Sequence, residues 1–489
     1  MVMLPLGGRI ASSRVAASKA PGAGMLTAKL AAKRLAPVQA TEIRLNYRFR
    51  HPSTRFSYLL QRKRGSRWIA LRAVAHKGHF KGAHTTTVKD IFGHRAIRAG
   101  SYRLRLRADR NLVSLRFSIF AAKPITDATS VSAGGTLTCI LVSGGAAKCW
   151  GYNRDGELGN GRTKNSSTPV SVGGIYGAIA VNSGYKHTCV LFPTGTVSCW
   201  GYNQLGELGN GTITNNSVPT AVSGLGAVAT SSSGAAHTCA VLMNGELYCW
   251  GDNEVGEIGT GSANRGTPYG ISNPVQVEQG SKIVGVSAGF VHTCALVSGG
   301  SVDCWGYNFD GQVGDGTVNH IRPYANPSPA RVVGITKALS ISAGGFHTCA
   351  LIAGGTVSCW GYIRVFTPAP LLDSAVPEAV PGIKNAISIS TGGFHTCALI
   401  ADGTVKCWGV DQFGQLGDGT LRDSAKPVTV IGIKHAVSIS SGLLHTCAVL
   451  AGGAVKCWGG NDEGELGTGT LTASSRPLSV VEPTTSLSR

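Results

Sequence analysis

Acidic residues are almost missing from the first quarter of this chain. Residues 1–125 hold 26 Lys and Arg but only Glu42, Asp90 and Asp109 as acids, whereas residues 126–489 hold 19 basic and 22 acidic side chains. Such a step in charge marks a domain boundary and suits the basic part to an anionic partner. No apolar run reaches the ~18 residues of a spanning helix, so none is expected. The opening stretch MVMLPLGGRIASSRVAASKAPGAG lacks a sustained apolar core and makes a poor signal peptide. Also lacking are a glycine-rich phosphate loop, a convincing nucleophile triad and any groove-reading nucleic-acid motif. These absences argue against an enzyme, a bound cofactor and specific nucleic-acid recognition. Charged residues make up only 14% of the chain while glycines number 68, a balance that suits short strands and tight turns.

What the chain has instead is one hairpin written seven times: a Cys, nine residues, a second Cys, then Trp-Gly. The pairs are Cys139 with Cys149, Cys189 with Cys199, Cys239 with Cys249, Cys294 with Cys304, Cys349 with Cys359, Cys397 with Cys407 and Cys447 with Cys457, which use all 14 cysteines. Trp150, Trp200, Trp250, Trp305, Trp360, Trp408 and Trp458 follow at spacings of 50, 50, 55, 55, 48 and 50 residues. A period of that size means a propeller or a solenoid. Within a hairpin an odd number of intervening residues places the two cysteines opposite each other, within reach of a disulfide. Buried thiols acting as small apolar fillers are the other reading. Disulfides imply an oxidising compartment, extracellular or cell-surface, and so an export route that the opening stretch does not supply.

Residues 1–24 read as a flexible lead-in. From 25 to 123 short alternating runs at 43–49, 102–107 and 112–119 predict half-buried strands and a basic β-sandwich. Each repeat between 124 and 485 carries four strand-like runs, which is one propeller blade. A Pro-x-x-Val run starts at Pro169, Pro219, Pro274, Pro329, Pro377, Pro427 and Pro477, out of phase with the hairpins. The first hairpin has none before it and the last has one after it. That phasing predicts an all-β, seven-bladed ring in which the C-terminal strand completes the first blade, hiding bare edges. A monomer is expected.

The string SISTGGFHTCALIADGTVKCWGVDQFGQLGDGT, residues 388–420, closely resembles the repeat of the regulator of chromosome condensation family. Its second half recurs as GYNQLGELGNGT at 201–212 and GGNDEGELGTGT at 459–470. The resemblance implies a seven-bladed fold. The family includes exchange factors for a nuclear small GTPase and bacterial propellers that bind other proteins. The cysteines depart from the eukaryotic pattern, the first unit has Leu137 in place of His, and the fifth lacks the Gly-x-Leu-Gly loop. More loosely, GHRAIRAGSYRLRLRADRN at 93–111 resembles Arg-rich immunoglobulin-like modules of bacterial secreted proteins.

Candidate sites follow from what repeats and what does not. His187, His237, His292, His347, His395 and His445 each stand two residues before a Cys on one strand face, a spacing open to metal binding or to packing. Leu137 at the same place in the first unit favours packing, and no metal is expected. Glu157, Glu207, Glu257 and Glu465 alternate with Gln312 and Gln415 at one place per repeat, which suits a blade-linking residue better than an acid or base. The interval from Trp to the next Pro is 19 residues in most repeats, 24 after Trp250 and Trp305, and 17 after Trp360. Arg265, Tyr269, Arg322, Tyr324, Arg364 and Phe366 lie in those three irregular loops and have the makeup of a protein-binding hot spot, if the irregularity is more than loop drift. The basic domain suits an anionic polymer or a membrane surface, or is a solvated strand face. The expectation is a non-catalytic propeller, secreted or surface-attached, that binds a protein partner. The rival is a guanine-nucleotide exchange factor.

Overall fold

The computed structural model describes residues 26–30, 34–35, 44–64, 67–87, 100–108, 111–119, 123–264, 270–322, 324–362 and 374–483. The chain divides into two compact units, with Pro124–Pro483 as one and the basic region as the other. In the basic unit the predicted strands are met by Arg44–Arg64, Gly100–Ala108 and Asn111–Ile119, and Arg67–Thr87 pairs along Arg44–Arg64. Leu60 and Leu104 lie in register on adjacent strands, and both are fully buried, as the alternation requires. The described strands join in one hydrogen-bonded sheet. The lead-in at 1–24 lies outside the described residues, as do parts of the stretch expected to form an immunoglobulin-like sandwich.

The second unit is a seven-bladed propeller. Each blade is four consecutive antiparallel strands: in blade one Ala128–Ala133, Leu137–Val142, Ala146–Gly151 and Ser166–Ser171, in blade seven Ala436–Ser441, His445–Leu450, Val455–Gly459 and Ser474–Ser479. This corrects the expected closure. The C-terminal Pro strand does not complete blade one; it pairs with the Trp-Gly strand of its own repeat, Leu478 beside Cys457, as Val170 lies beside Cys149 in blade one. The phasing misleads because the Pro strand is the outermost, fourth strand of its blade. Pro has no N–H to donate, so an outer edge is where it costs least.

Closure comes from seven near-equivalent seams. At the centre, the Gly that follows each innermost strand offers its carbonyl to the N–H one residue past the corresponding Gly of the preceding blade. The bonds run Gly135 to Gly184, Tyr185 to Gly234, Ala235 to Gly289, Phe290 to Gly344, Gly345 to Gly392, Gly393 to Gly442 and Leu443 to Gly134, at 3.0–3.2 Å. The seventh bond returns to the first blade. Only glycine can stand in this ring, because a Cβ on Gly234 would sit 2.3 Å from the Gly289 carbonyl. The innermost strands would otherwise bare their N–H groups. Serines of the preceding blade cap them: Ser132 accepts from Ser183, Ser232 from Ala288, Ser287 from Ala343 and Ser440 from Ala133.

Further out, one main-chain carbonyl joins the two blades in six of the seven seams. Trp200 donates its indole N–H to the carbonyl of Glu157, Trp250 to Glu207, Trp305 to Glu257, Trp360 to Gln312, Trp458 to Gln415 and Trp150 to Glu465, at 2.6–2.9 Å. In most of these seams the same carbonyl also accepts the hydroxyl of the His-Thr-Cys threonine, as Glu207 does from Thr238 at 3.0 Å. Each of these indoles is fully buried, and removing one such ring costs about 3–5 kcal/mol. The carbonyl leaves its N–H satisfied.

Seven disulfides brace the hairpins, one per blade. Cys139 is joined to Cys149, Cys189 to Cys199, Cys239 to Cys249 and Cys294 to Cys304. Cys349 is joined to Cys359, Cys397 to Cys407 and Cys447 to Cys457. In every blade the two cysteines lie in register on the second and third strands, with Cα atoms 4.1 Å apart. The described cysteines are all bonded, so the alternative of buried thiols acting as apolar fillers falls away. The bonded sulfurs are themselves core: Cys189, Cys199, Cys239, Cys249, Cys294, Cys304, Cys397 and Cys407 are all fully buried. Each bond closes a short loop, worth about 2.5–3 kcal/mol in the chain-entropy account.

Gly234→Ala is predicted to lower stability by about 1–3 kcal/mol, the usual cost of overpacking. Gly280→Ala, where a Cβ meets nothing within 4 Å, should change it by less than about 0.5 kcal/mol. Thermal melts of the two variants decide whether the glycine ring is obligatory.

Candidate binding face

The antiparallel meander places two loops of every blade on one face: the turn between strands one and two, and the long loop between strands three and four. The first carries Tyr185, Phe290, Phe346 and Phe394, just ahead of the His-Thr-Cys strand. The second begins with Tyr152, Tyr202, Tyr307 or Tyr362, straight after Trp-Gly. All eight are half-buried. Tyr185 of blade two and Phe290 of blade four meet edge to face at 6.0 Å. They stand at the mouth of the central channel, a cavity of about 70 Å³ lined by residues of all seven blades. Phe346 and Phe394 pack at 5.6 Å, with Tyr362 6.5 Å from each. The Lys186 ammonium lies 5.3 Å from the Tyr152 ring centre and 5.6 Å from that of Tyr202, bridging blades one and two. Aromatic rings with cationic partners are the side chains from which protein interfaces draw most of their energy.

Of the six loop residues singled out from sequence, the structure brings together Arg322 and Tyr324. Arg265, Tyr269, Arg364 and Phe366 lie outside the described residues. Tyr324 packs on Phe309 at 5.4 Å and Tyr307 at 6.3 Å, and Phe309 packs on His320 at 4.7 Å. Arg322 donates from Nε to the Tyr324 hydroxyl at 3.3 Å, with its guanidinium 5.8 Å from the ring centre. The Tyr324 backbone is left-handed, φ 61°, a conformation that costs a side chain about 1–2 kcal/mol. It is held by the Asn308 N–H donating to the Tyr324 carbonyl at 2.7 Å. Loop length alone draws attention to Tyr324. The larger aromatic set escapes the sequence reading although Gly-Phe-His and Trp-Gly-Tyr recur in the repeats, because rings beside recurrent motifs read as part of the core.

The repeated histidines and carboxyls are joints. Each His Nε2 meets the Thr hydroxyl of the next blade at 2.7–2.9 Å: His187 with Thr238, His237 with Thr293, His292 with Thr348, His347 with Thr396, His395 with Thr446 and His445 with Thr138. The cysteines beside them are disulfide-bonded, so no thiolate is available for the metal alternative. Glu157, Glu207, Glu257 and Glu465 each accept, at Oε2, the N–H two residues back; Gln312 and Gln415 do so with Oε1. Asn153, Asn203, Asn253, Asn308 and Asn461 fix the same loop by accepting the N–H of the buried aliphatic residue.

Burial favours the neutral form of these acids. It pushes the Glu207 and Glu257 carboxyls up to about 8, and those of Glu157, Glu465 and Asp411 up to about 7. Burial likewise drives the six histidines down, His187, His347 and His445 to about 4 and His237, His292 and His395 to about 3. The raised carboxyls contribute stability that is complete below their open-chain value of about 4.5 and is lost as pH climbs through 7–8. The depressed histidines contribute stability that is complete above about 6.5 and is lost as pH falls through 4–3. The two slopes oppose each other between about pH 4.5 and 6.5, so stability should form a plateau there and decline on either side. Replacing Glu157, Glu207, Glu257 and Glu465 together by Gln, the residue two repeats already use, should remove most of the alkaline decline and leave the acid one. Melting temperature against pH for that variant reads this directly; an unaltered alkaline arm would contradict it.

Comparison with known proteins supports the repeat reading. Residues 149–191, 194–241, 244–296, 299–351 and 402–449, just over half of the chain, match the family described as Regulator of chromosome condensation (RCC1) repeat. A second pattern of the same description matches 178–207, 230–257, 283–312, 386–415 and 436–465. Yeast RCC1 (Prp20), solved bound to Kap60, is similar over 73% of this chain and 85% of its own at 20% identity, with a TM-score of 0.61. The Saccharomyces cerevisiae Prp20p structure, described with that protein's binding to Gsp1p and histones, gives 0.59 at 20% identity over 73% and 87%. Human WBSCR16 gives 0.58 at 22% identity over 70% of this chain and 90% of its own. At these identities the likeness is one of fold. The matching segments and the seven-bladed ring together place the chain in the regulator of chromosome condensation (RCC1) repeat family.

Proposed function

We propose that this protein is a non-catalytic binding propeller that works in an oxidising compartment, secreted or at a cell surface, and presents its aromatic loop face to a protein partner. The observation that carries the reading is the gathering of Tyr152, Tyr185, Tyr202, Phe290, Tyr307, Phe346, Tyr362 and Phe394 on one face, half-exposed and accompanied by Lys186, Arg154 and Arg322. The seven disulfides support the compartment, since such bonds persist where thiols are not kept reduced. The repeated carboxyls and histidines are occupied in blade seams, which leaves them poorly placed for acid–base work. In the basic unit, an excess of Lys and Arg suits tethering to an anionic polymer or membrane surface through charge alone.

The second reading is nucleotide exchange on a small GTPase, favoured by the fold shared with Prp20. Fold does not confer activity. Tyr185→Ala combined with Tyr307→Ala should weaken capture of the extracellular partner at least tenfold while leaving the melting temperature near wild type. Partner capture that survives the double variant would remove the face from the account. Accelerated nucleotide release from a small GTPase at micromolar protein would replace the binding reading with the exchange-factor one.

A further inference from the structure

Two contacts tie the outer end of a blade to the seam beside it. The first is a main-chain bond from the residue after the buried Val to the glycine that follows the buried aliphatic residue of the long loop. It joins Gly173 to Gly159, Ser223 to Gly209, Val333 to Gly314, Ile431 to Gly417 and Val481 to Gly467, at 2.9–3.1 Å. The second is an aliphatic side chain in the connector to the next blade: Ile175, Leu225, Ile335, Ile383 and Ile433 each pack into a core cluster.

The connector from blade three to blade four makes neither contact. Blade three ends with Ile271–Val277, and blade four comprises Ile283–Ala288, His292–Val297, Val302–Tyr307 and Ala325–Arg331. Glu278 holds the place whose N–H would reach Gly259, yet no such bond forms among the described residues. Gly280 holds the place of the Ile or Leu, and a Cβ there would meet nothing within 4 Å. The core beneath stays filled, because Ile283 is buried where Ala128, Ala178, Ala338, Ala386 and Ala436 stand in other blades. What remains open is a cavity of about 640 Å³, within the roughly 300–1,000 Å³ of small-molecule sites. Every residue that borders it is among the described ones.

Its walls are polar. Gln279 borders it with a terminal amide whose nitrogen is buried and has no partner among the described residues. Arg331 commits Nε and Nη2 to Asp303, which leaves Nη1 for a further acceptor. The Gly259 carbonyl and the Glu278 N–H, whose equivalents bond to each other elsewhere, belong to residues of the same wall. Thr260 and Ser328 add hydroxyls, which can give or accept a proton. Of the described residues around the cavity none is aromatic, and Pro329 alone has an apolar side chain. Asp303 and Arg331 offset each other, so Glu278 leaves the site with one negative charge, which disfavours anions.

We propose that the seam between blades three and four binds a short neutral oligosaccharide. A sugar carries many hydroxyls that both give and accept protons, which is what a wall of mixed amides, hydroxyls, guanidinium and main-chain groups can satisfy. An apolar side chain would gain little there, and a phosphate or carboxylate would face Glu278. The site shares no residue with the aromatic face, and the two readings fail separately.

The test uses the full, oxidised chain and five neutral trisaccharides, namely maltotriose, cellotriose, xylotriose, mannotriose and triacetylchitotriose, titrated by calorimetry. At least one should bind with a dissociation constant below about 5 mM. Gln279→Ala should weaken that binding by about fivefold or more, the worth of one hydrogen bond, with the melting temperature unchanged. Replacing Glu278-Gln279-Gly280-Ser281 by Val-Gly-Ile-Thr, the run at 333–336, together with Ile283→Ala, restores the usual connector and should abolish binding. Failure of all five sugars to bind below that limit would overturn the proposal. So would an affinity that both variants leave intact, or tighter binding of the tripeptide Ser-Gly-Ser, which would make the cavity a peptide site.

Discussion

Six of the seven seams of this ring turn on one main-chain carbonyl each, that of the Glu or Gln before the buried aliphatic residue of the Gly-x-Leu-Gly loop. It accepts the N–H of an indole that would otherwise be buried unsatisfied, a loss of about 1–3 kcal/mol. In most seams it takes the threonine hydroxyl as well, and that threonine receives the His of the preceding blade. Blade order, loop position and core packing are therefore one arrangement. The loop cannot move without freeing the indole, and the indole cannot turn without opening the core beneath the disulfide. Because the same contacts run from blade seven to blade one through Trp150, Glu465, Thr138 and His445, the ring needs no exchanged strand to close.

The seams are held by neutral groups. Burial suppresses the charge of both the carboxyls and the imidazoles, and only two ion pairs, Lys148 with Glu482 and Arg331 with Asp303, are formed among the described residues. Salt would loosen little in the propeller, since few ion pairs hold it together. Short cross-linked hairpins and uncharged joints give a scaffold whose rigidity does not depend on a cytosolic environment. A rigid scaffold can hold many half-exposed rings on one face at little entropic cost on binding.

Much of this is legible in the sequence because the repeat writes the same constraint seven times. The Cys-x9-Cys spacing carries the hairpin and the disulfide, as the in-register pairs Cys189 with Cys199 and Cys397 with Cys407 bear out. The Trp period carries the blade count, and the Glu/Gln exchange assigns a linking role to a position that could have passed for catalytic. Strand phase misleads: a Pro strand looks alike whether it opens or ends a blade, and only pairing of Val170 with Cys149 decides it. The binding face is visible in part. Tyr324 stands out by loop length, whereas Tyr185 and Phe290 belong to blades two and four and come together only when the ring closes. The fifth repeat's lost Gly-x-Leu-Gly loop is visible as a missing motif, but that the motif covers the indole of the next blade, as Gly159 does that of Trp200, is legible only in the structure.

The account rests most heavily on all 14 cysteines being paired within their own hairpins, because the bracing of the blades follows from it and the proposed oxidising compartment is argued from it. The direct measurement is to alkylate protein taken from its native compartment or a secretory host, denatured but not reduced, and to determine its mass. The account predicts no alkylated cysteine, and peptides in which each Cys-x9-Cys pair is joined. Fourteen alkylated cysteines would contradict it and return the protein to a reducing environment, where the exchange-factor reading would take precedence.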